Sequence, residues 1–211
     1  MSRLYFGPTV FSAKKPVEVS KKENNYRRSA YMKILLNSDQ IHTTVEALFS
    51  QIIADISPNS DLAIIGLRSR GEILAQRLNR KLNEQLGREI PCGTLDITLY
   101  RDDIHSPRSG VQPTVRATEI AFDVNDKFIL LVDDVLHTGR SVRAAMDALT
   151  DLGRPRAVRL AVLVDRGDRE LPIRADYVGL RAEVEPNESV LVHLIEEDQV
   201  DEVIVEQSET L

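Results

Sequence analysis

The sequence predicts an α/β protein, with a mainly parallel sheet flanked by helices and a small antiparallel addition near the C-terminus. Short apolar runs of strand length alternate with segments whose apolar residues recur at helical spacing. The runs at 61–67, 128–132 and 158–164 are nearly unbroken, as strands covered on both faces must be.

The elements follow in chain order. Residues 1–31 show no sustained period and mix Pro8 and Pro16 with a Lys/Asn/Arg cluster, which predicts an irregular or mobile basic extension ahead of a domain at 32–211. Met32 is a candidate start in its own right. Asp39 stands at a cap position before Ile41, Val45, Leu48, Phe49, Ile52, Ile53 and Ile56, a helical series stopped by Pro58-Asn59. A buried strand is expected at 61–67 and a helix from Gly71 to its stop at Gly87. "CGTLDITLYRD" alternates as a strand does, and Ser106-Pro107-Arg108-Ser109-Gly110 follows as a flexible polar loop. A strand at 128–132, a helix from Ser141 to about Leu152 and a strand at 158–164 continue the pattern. The late strands at 190–195 and 203–205 supply the antiparallel addition.

Composition bounds the function. A chain of 211 residues, 42% of them hydrophobic, buries one substantial core and is most simply one domain beyond its extension. Cys92 is the only cysteine, so neither an intrachain disulfide nor a multi-cysteine zinc site can form, which suits a reducing, cytoplasmic setting. No apolar run approaches the roughly 18 residues of a spanning helix, and the N-terminus lacks a basic-then-apolar signal pattern. The formal net charge of −6 is unevenly placed. Seven Lys/Arg fall within residues 1–31, whereas ten Asp/Glu and no Lys/Arg occur from Glu183 onward, an end ill-suited to a phosphate backbone and best read as a solvated acidic face.

The chemistry concentrates in residues 129–149, "ILLVDDVLHTGRSVRAAMDAL". An apolar run stops on Asp133-Asp134, and in open α/β sheets ligands bind beyond such strand ends. Thr138, Gly139, Arg140 and Ser141 then lie where the next helix opens, so free N–H groups and the helix dipole can hold an anion. Gly139 lets the backbone approach a phosphate, and the hydroxyls of Thr138 and Ser141 add donors. Two carboxylates beside that cradle suit vicinal hydroxyls or a metal. Hydroxyls plus a terminal phosphate describe a ribose 5-phosphate. A lone Asp-Asp would be read as a mere strand end; the whole arrangement favours the site.

"ILLVDDVLHTGRS" resembles the phosphoribosyl pyrophosphate signature of the type I phosphoribosyltransferases. "GLRSRGEILAQRL", "TLDITLYRDD" and "DALTDLGRPRAVRLAVLVDRGDRELPIRADYVG" resemble the pyrimidine operon attenuation regulator / uracil phosphoribosyltransferase family. The match is continuous over about 41–179. The resemblance implies a type I phosphoribosyltransferase fold and transfer of phosphoribose from phosphoribosyl pyrophosphate to uracil, giving uridine monophosphate and pyrophosphate. Asp133 and Asp134 would take the ribose hydroxyls, with Val135 beside them. Thr138, Gly139, Arg140 and Ser141 would take the 5-phosphate, and Arg68, Ser69, Arg70 and Gly71 the pyrophosphate. Two arginines at a helix start suit that task, although alone they would be ordinary helix-entry charges. Arg101, followed by Asp102 and Asp103, opens a loop that resembles the family's lid, and Mg2+ would arrive with phosphoribosyl pyrophosphate. No metal ligand is assigned directly and no protein nucleophile is expected. His137 is read as a packing or rim residue rather than a general base. The segment 165–179 would read uracil, largely through backbone groups.

The family also implies a homodimer or higher homo-oligomer, uridine nucleotides as ligands, and messenger RNA as a partner. That last part is altered here. The first helix, "HTTVEALFSQIIADI", carries Glu46 and Asp55 and no Lys or Arg. The usual Gly-His-Arg is Gly167-Asp168-Arg169, and "LRAEVEPNES" replaces the usual Lys followed by Pro-Thr-Ser, though Arg174 remains. Acidic groups at presumed phosphate-facing positions should weaken RNA binding. The alternative function is a uridine-nucleotide-sensing, RNA-binding attenuation regulator with little or no catalysis; the basic segment from Arg3 to Arg28 is its conceivable new footprint, though a tail is the simpler reading.

Overall fold

The computed structural model describes residues 32–102 and 117–207. The expected basic extension at 1–31, and the polar loop with Asp103, lie outside the described residues. Thirteen elements follow in order: β1 (Met32–Leu36), α1 (Ser38–Asp55), β2 (Leu62–Leu67), α2 (Arg70–Leu86), β3 (Cys92–Leu95), a 3-10 turn (Thr98–Tyr100), β4 (Phe128–Leu136), α3 (Arg140–Leu152), β5 (Ala157–Asp165), β6 (Tyr177–Arg181), β7 (Glu188–His193), α4 (Ile195–Asp198) and β8 (Glu202–Gln207).

Five strands form a parallel sheet in the order β3-β2-β4-β5-β6. α1 and α2 cover one face, packing Ile41, Leu48, Leu74 and Leu78 against Ile64, Leu130 and Leu163. α3 covers the other, packing Ala144, Ala145 and Leu149 against Ile65, Leu131 and Val162. Residues one apart on β4 thus serve opposite cores, which is why its sequence is apolar throughout. The antiparallel sheet β1-β8-β7 joins the first core through Leu36, Val192 and Val203.

Several boundaries differ from expectation for local reasons. α1 is capped by Asn37 rather than Asp39: the Asn37 side chain accepts from the Gln40 N–H, and the Gln40 side chain accepts from the Asn37 N–H, a reciprocal capping box. β3 ends at Leu95, because the Asp96 carboxylate takes the Thr98 N–H and hydroxyl and turns the chain into the 3-10 turn. β4 continues through the paired aspartates to Leu136, so they lie within the strand rather than after it. Ile195 opens α4 instead of ending a strand. β1 and β6 were not expected. β1 is a short edge with exposed Met32 and Ile34. In β6, Gly179 looks like a break, but a Cβ there would meet Thr44 Cγ2 at 2.6 Å, where α1 presses on the sheet.

Candidate active site

The strand order reverses between β2 and β4, because the chain runs from β2 outward to β3 and then returns to β4 on the other side. Such a switch point opens a crevice at the carboxyl ends of the strands. Register deepens it. β4 pairs with β2 only as far as Gly66↔Val132 but with β5 as far as Leu136↔Asp165, leaving Asp133, Asp134 and Val135 beyond the pairing with β2. A cleft of about 360 Å³ occupies this place.

The cleft brings together most of the residues singled out in the sequence. Asp133, Asp134 and Val135 line it from β4, Arg68, Ser69 and Arg70 from the start of α2, and Ser141 from α3. Arg101 also lines it, beside Asp96, Ile97 and Thr98, which were not singled out. Their signal was hidden because "TLDITLY" reads as a strand. Thr138, Gly139 and Arg140 continue from β4 into α3 without lining the cleft wall.

Asp133 is 8% exposed, and its Oδ1 accepts the Asp134 N–H at 2.9 Å; the Asp134 Oδ1 accepts the Val135 N–H at 2.8 Å. Burial and the neighbouring Asp134 charge push the Asp133 carboxyl well above the usual carboxylate range. Gly71 lies against this strand: a Cβ would fall 2.7 Å from the Val132 carbonyl oxygen and 3.3 Å from Asp133 Oδ1. The absence of a side chain is what brings the start of α2 onto the aspartates.

The two arginines are already engaged. Arg68 donates to Glu119 at 2.9 Å and lies 3.6 Å from Glu72, and the Arg68–Ser69 peptide is cis. Arg70 donates from Nε and Nη2 to Asp198 of α4, at 3.1 and 2.7 Å.

The α3 turn is built on Gly139 at φ +92°, with no side-chain cap at the helix start. A Cβ at Gly139 would reach Ile173 Cβ at 3.3 Å, and the Thr138 carbonyl accepts the N–H groups of Glu170 and Leu171. The segment after β5 therefore packs directly onto the α3 turn. Arg169 ties the two: its guanidinium donates to the carbonyls of Leu136, His137, Gly167 and Ile173 and to the Asp165 carboxylate. Arg140 spans Asp102 and Glu170. Burial and the Arg166 charge hold His137 below the ordinary imidazole range.

Among the described residues, no group of three or more His, Cys, Asp or Glu is arranged to hold a metal ion by itself. The Asp133–Asp134 pair does offer the hard oxygens that Mg2+ takes alongside substrate phosphates. A larger cleft of about 740 Å³ lies between α1 and α2, away from the strand ends. Its charges are largely matched with each other, Lys81 with Glu46 and Arg77 with Glu196 and Asp201.

Comparison with known proteins bears on the family and the fold. Residues 33–194 match the family model of the phosphoribosyl transferase domain. The chain is 52% identical over 167 residues to the bifunctional protein PyrR of Deinococcus radiodurans, covering 79% of this chain and 90% of that protein. It is 46% identical over 172 residues to the bifunctional protein PyrR of Limosilactobacillus fermentum, covering 82% and 96%. Among solved structures, the hypoxanthine phosphoribosyltransferase of Trypanosoma cruzi superposes with a TM-score of 0.60 at 18% identity, covering 84% of this chain and 97% of that one. A hypoxanthine-guanine phosphoribosyltransferase of Bacillus anthracis gives 0.61 at 17%, covering 82% and 97%. At such identities these structures bear on the fold alone.

Proposed function

The chain belongs to the phosphoribosyl transferase domain family and, within it, to the bifunctional PyrR proteins; from that premise we propose that it converts uracil and phosphoribosyl pyrophosphate to uridine monophosphate and pyrophosphate. The single observation that carries this reading is the aspartate pair of β4, placed at the switch point between the openings of α2 and α3. One helix start faces each side of a site for hydroxyls, so two phosphate-bearing ends can flank one ribose.

In this reading Asp134 and Asp133 accept the ribose hydroxyls. Hydroxyl donors and a cation arriving with the substrate would favour the ionised form of the Asp133 carboxyl, whose proton would pass to solvent. Backbone N–H groups at 138–141, with the hydroxyls of Thr138 and Ser141, hold the 5-phosphate. Arg68, Ser69 and Arg70 hold the pyrophosphate as its bond to the sugar C1 breaks and uracil N1 bonds to that carbon, the N1 proton passing to the departing pyrophosphate or to solvent. Arg101 borders the same space. Gly71 acts by letting α2 approach β4. Mg2+ arriving with the substrate would be held beside Asp133 and Asp134 and would supply positive charge against the departing pyrophosphate. Charge grows on the departing pyrophosphate, so fixed donors there lower the barrier without a protein nucleophile. The segment 165–179, locked to the α3 turn by Arg169, is the uracil-reading wall. We assign this work to a domain at 32–211, in a cytoplasmic homo-oligomer; no helix among the described residues is long and apolar enough to cross a membrane.

The regulatory half of the family is supported by one feature. A cleft of about 660 Å³ beyond β5 and β6 is lined by Arg166, Arg169, Arg174 and Arg181. Arg166 donates to the Glu188 carbonyl and Arg169 to its loops; Arg174 and Arg181 are exposed, Arg181 lying 3.9 Å from Asp165, and these two are the cations we assign to a phosphate backbone, with Asp168 and Glu183 in the same lining. With α1 devoid of Lys and Arg, RNA binding is the weaker activity. The test is uridine monophosphate formation from uracil and phosphoribosyl pyrophosphate with Mg2+, comparing the native chain with Asp134→Asn. Turnover lost in a folded variant supports the reading. A native chain that binds uridine monophosphate but does not turn over makes the protein a nucleotide-sensing regulator instead.

A further inference from the structure

Arg70 is the first residue of α2, lines the central cleft, and is gripped from outside the parallel sheet. The grip comes from Asp198 at the end of α4, which takes Nε and Nη2 of the guanidinium in a two-point fork. The carboxylate is itself fixed, because its Oδ2 also accepts the Leu194 N–H at 2.9 Å. The Arg70 hydrogen bond, opposed by partial burial, holds Asp198 below the usual carboxylate range and keeps it ionised at neutral pH.

Two features separate this pair from an ordinary strut. First, α4 has anchors to α2 that do not involve Asp198. Arg77, two turns further along α2, donates to Glu196 and Asp201, and Asp201 accepts the Ile195 N–H. Second, a guanidinium has five N–H donors, and the fork to Asp198 uses two. Three remain for an anion in the cleft without breaking the pair. A long arginine chain loses rotamer freedom when a ligand orders it, and a partner that orders it beforehand removes that cost from binding.

We propose that Asp198 is the positioning residue for the pyrophosphate subsite, setting the Arg70 guanidinium in its binding orientation before substrate arrives. It acts through Arg70 and touches no substrate. The proposal rests on the assignment of residues 68–71 to pyrophosphate, so its test reads pyrophosphate binding and turnover separately.

The experiment is calorimetric titration of the full chain with magnesium pyrophosphate, for the native protein, Asp198→Asn, Asp198→Glu, Asp201→Asn, Arg70→Ala and the Asp198→Asn/Arg70→Ala double variant. Asp198→Asn is expected to lower affinity about three- to tenfold. Asp198→Glu should recover part of this, Asp201→Asn should leave affinity within twofold, and the double variant should bind no worse than Arg70→Ala alone. In steady state, Asp198→Asn should raise KM for phosphoribosyl pyrophosphate and leave KM for uracil unchanged. Equal losses in Asp198→Asn and Asp201→Asn would reduce the pair to scaffolding and overturn the proposal. Tighter binding in Asp198→Asn would overturn it too, by making Asp198 a competitor for Arg70. Native protein that binds pyrophosphate with this pattern but makes no uridine monophosphate would sink the enzymatic reading and leave the positioning role standing.

Discussion

Gly71→Ala sets two physical effects against each other, and the structure says which wins. Gly71 is the second residue of α2, where alanine is favoured over glycine by at most about 0.8–1.0 kcal/mol, the helix-interior difference. Propensity alone therefore predicts a more stable protein. The new Cβ, however, would stand 2.7 Å from the Val132 carbonyl oxygen, 3.1 Å from Asp133 Cα and 3.3 Å from Asp133 Oδ1. The two closest contacts are with backbone atoms of a central strand, which cannot swing aside as a side chain can. Overpacking of this kind costs about 1–3 kcal/mol, and with rigid neighbours the upper half of that range applies. The net expectation is a loss of about 1–2 kcal/mol, or a fall in Tm of about 2–8 °C for a domain of this size. The start of α2 must also withdraw from β4, carrying Arg70 away from the aspartates, so kcat/KM for phosphoribosyl pyrophosphate should fall at least tenfold. Denaturant titration and steady-state turnover on one preparation measure both. A variant as stable as the native chain, or more so, with normal turnover would refute the claim that this glycine sets the spacing of the site.

Three further outcomes follow from the same geometry. In ligand-free protein the raised Asp133 carboxyl binds its proton at a pH where the unfolded chain has released it, so stability is full at or below the ordinary carboxylate range near pH 4 and declines as pH rises through the raised value. Asp133→Asn should abolish that decline, gain stability at neutral pH and lose turnover; stability–pH curves that stay parallel would contradict it. Arg169→Ala removes the nearest cation from the buried Asp165 carboxylate, leaving it the Gly167 N–H and the more distant Arg181, and takes a donor from four carbonyls, so it should cost about 3 kcal/mol and raise KM for uracil more than KM for phosphoribosyl pyrophosphate, with equal increases counting against a base-reading wall. If RNA is bound through Arg174 and Arg181, replacing both by Gln should reduce the slope of log affinity against log salt by about 1.4 for single-stranded RNA, and an unchanged slope would place the contacts elsewhere.

The legible parts of this protein were those whose physics is local. The apolar runs of β2, β4 and β5 and the helical spacing of α1 and α2 announce elements that pack against both sheet faces. Thr138-Gly139 announces a helix start, and α3 opens at Arg140; Asp133-Asp134 reads as a strand end but lies inside β4, which runs on to Leu136. What stayed hidden depends on distant partners. β1 becomes a strand only because β8 lies beside it, 174 residues on at the pairing Met32↔Glu206. Gly179 is a break in sequence and a contact site in space, since only the fold shows α1 lying on it. Asp198 sits in an acidic stretch that reads as solvated surface, yet its carboxylate faces Arg70 across 128 positions. Arg169 stands in the sequence only as the end of Gly167-Asp168-Arg169, and the fold alone shows its donors directed into the protein's own loops.

A crystal structure with uridine monophosphate bound, grown from the native chain, tests the central claim most directly. The account predicts the 5-phosphate within hydrogen-bond distance of the backbone N–H groups at 138–141, the ribose hydroxyls on Asp133 or Asp134, and the base against the segment 165–179. Nucleotide seated instead in the cleft between α1 and α2, with the β4 aspartates untouched, would contradict it.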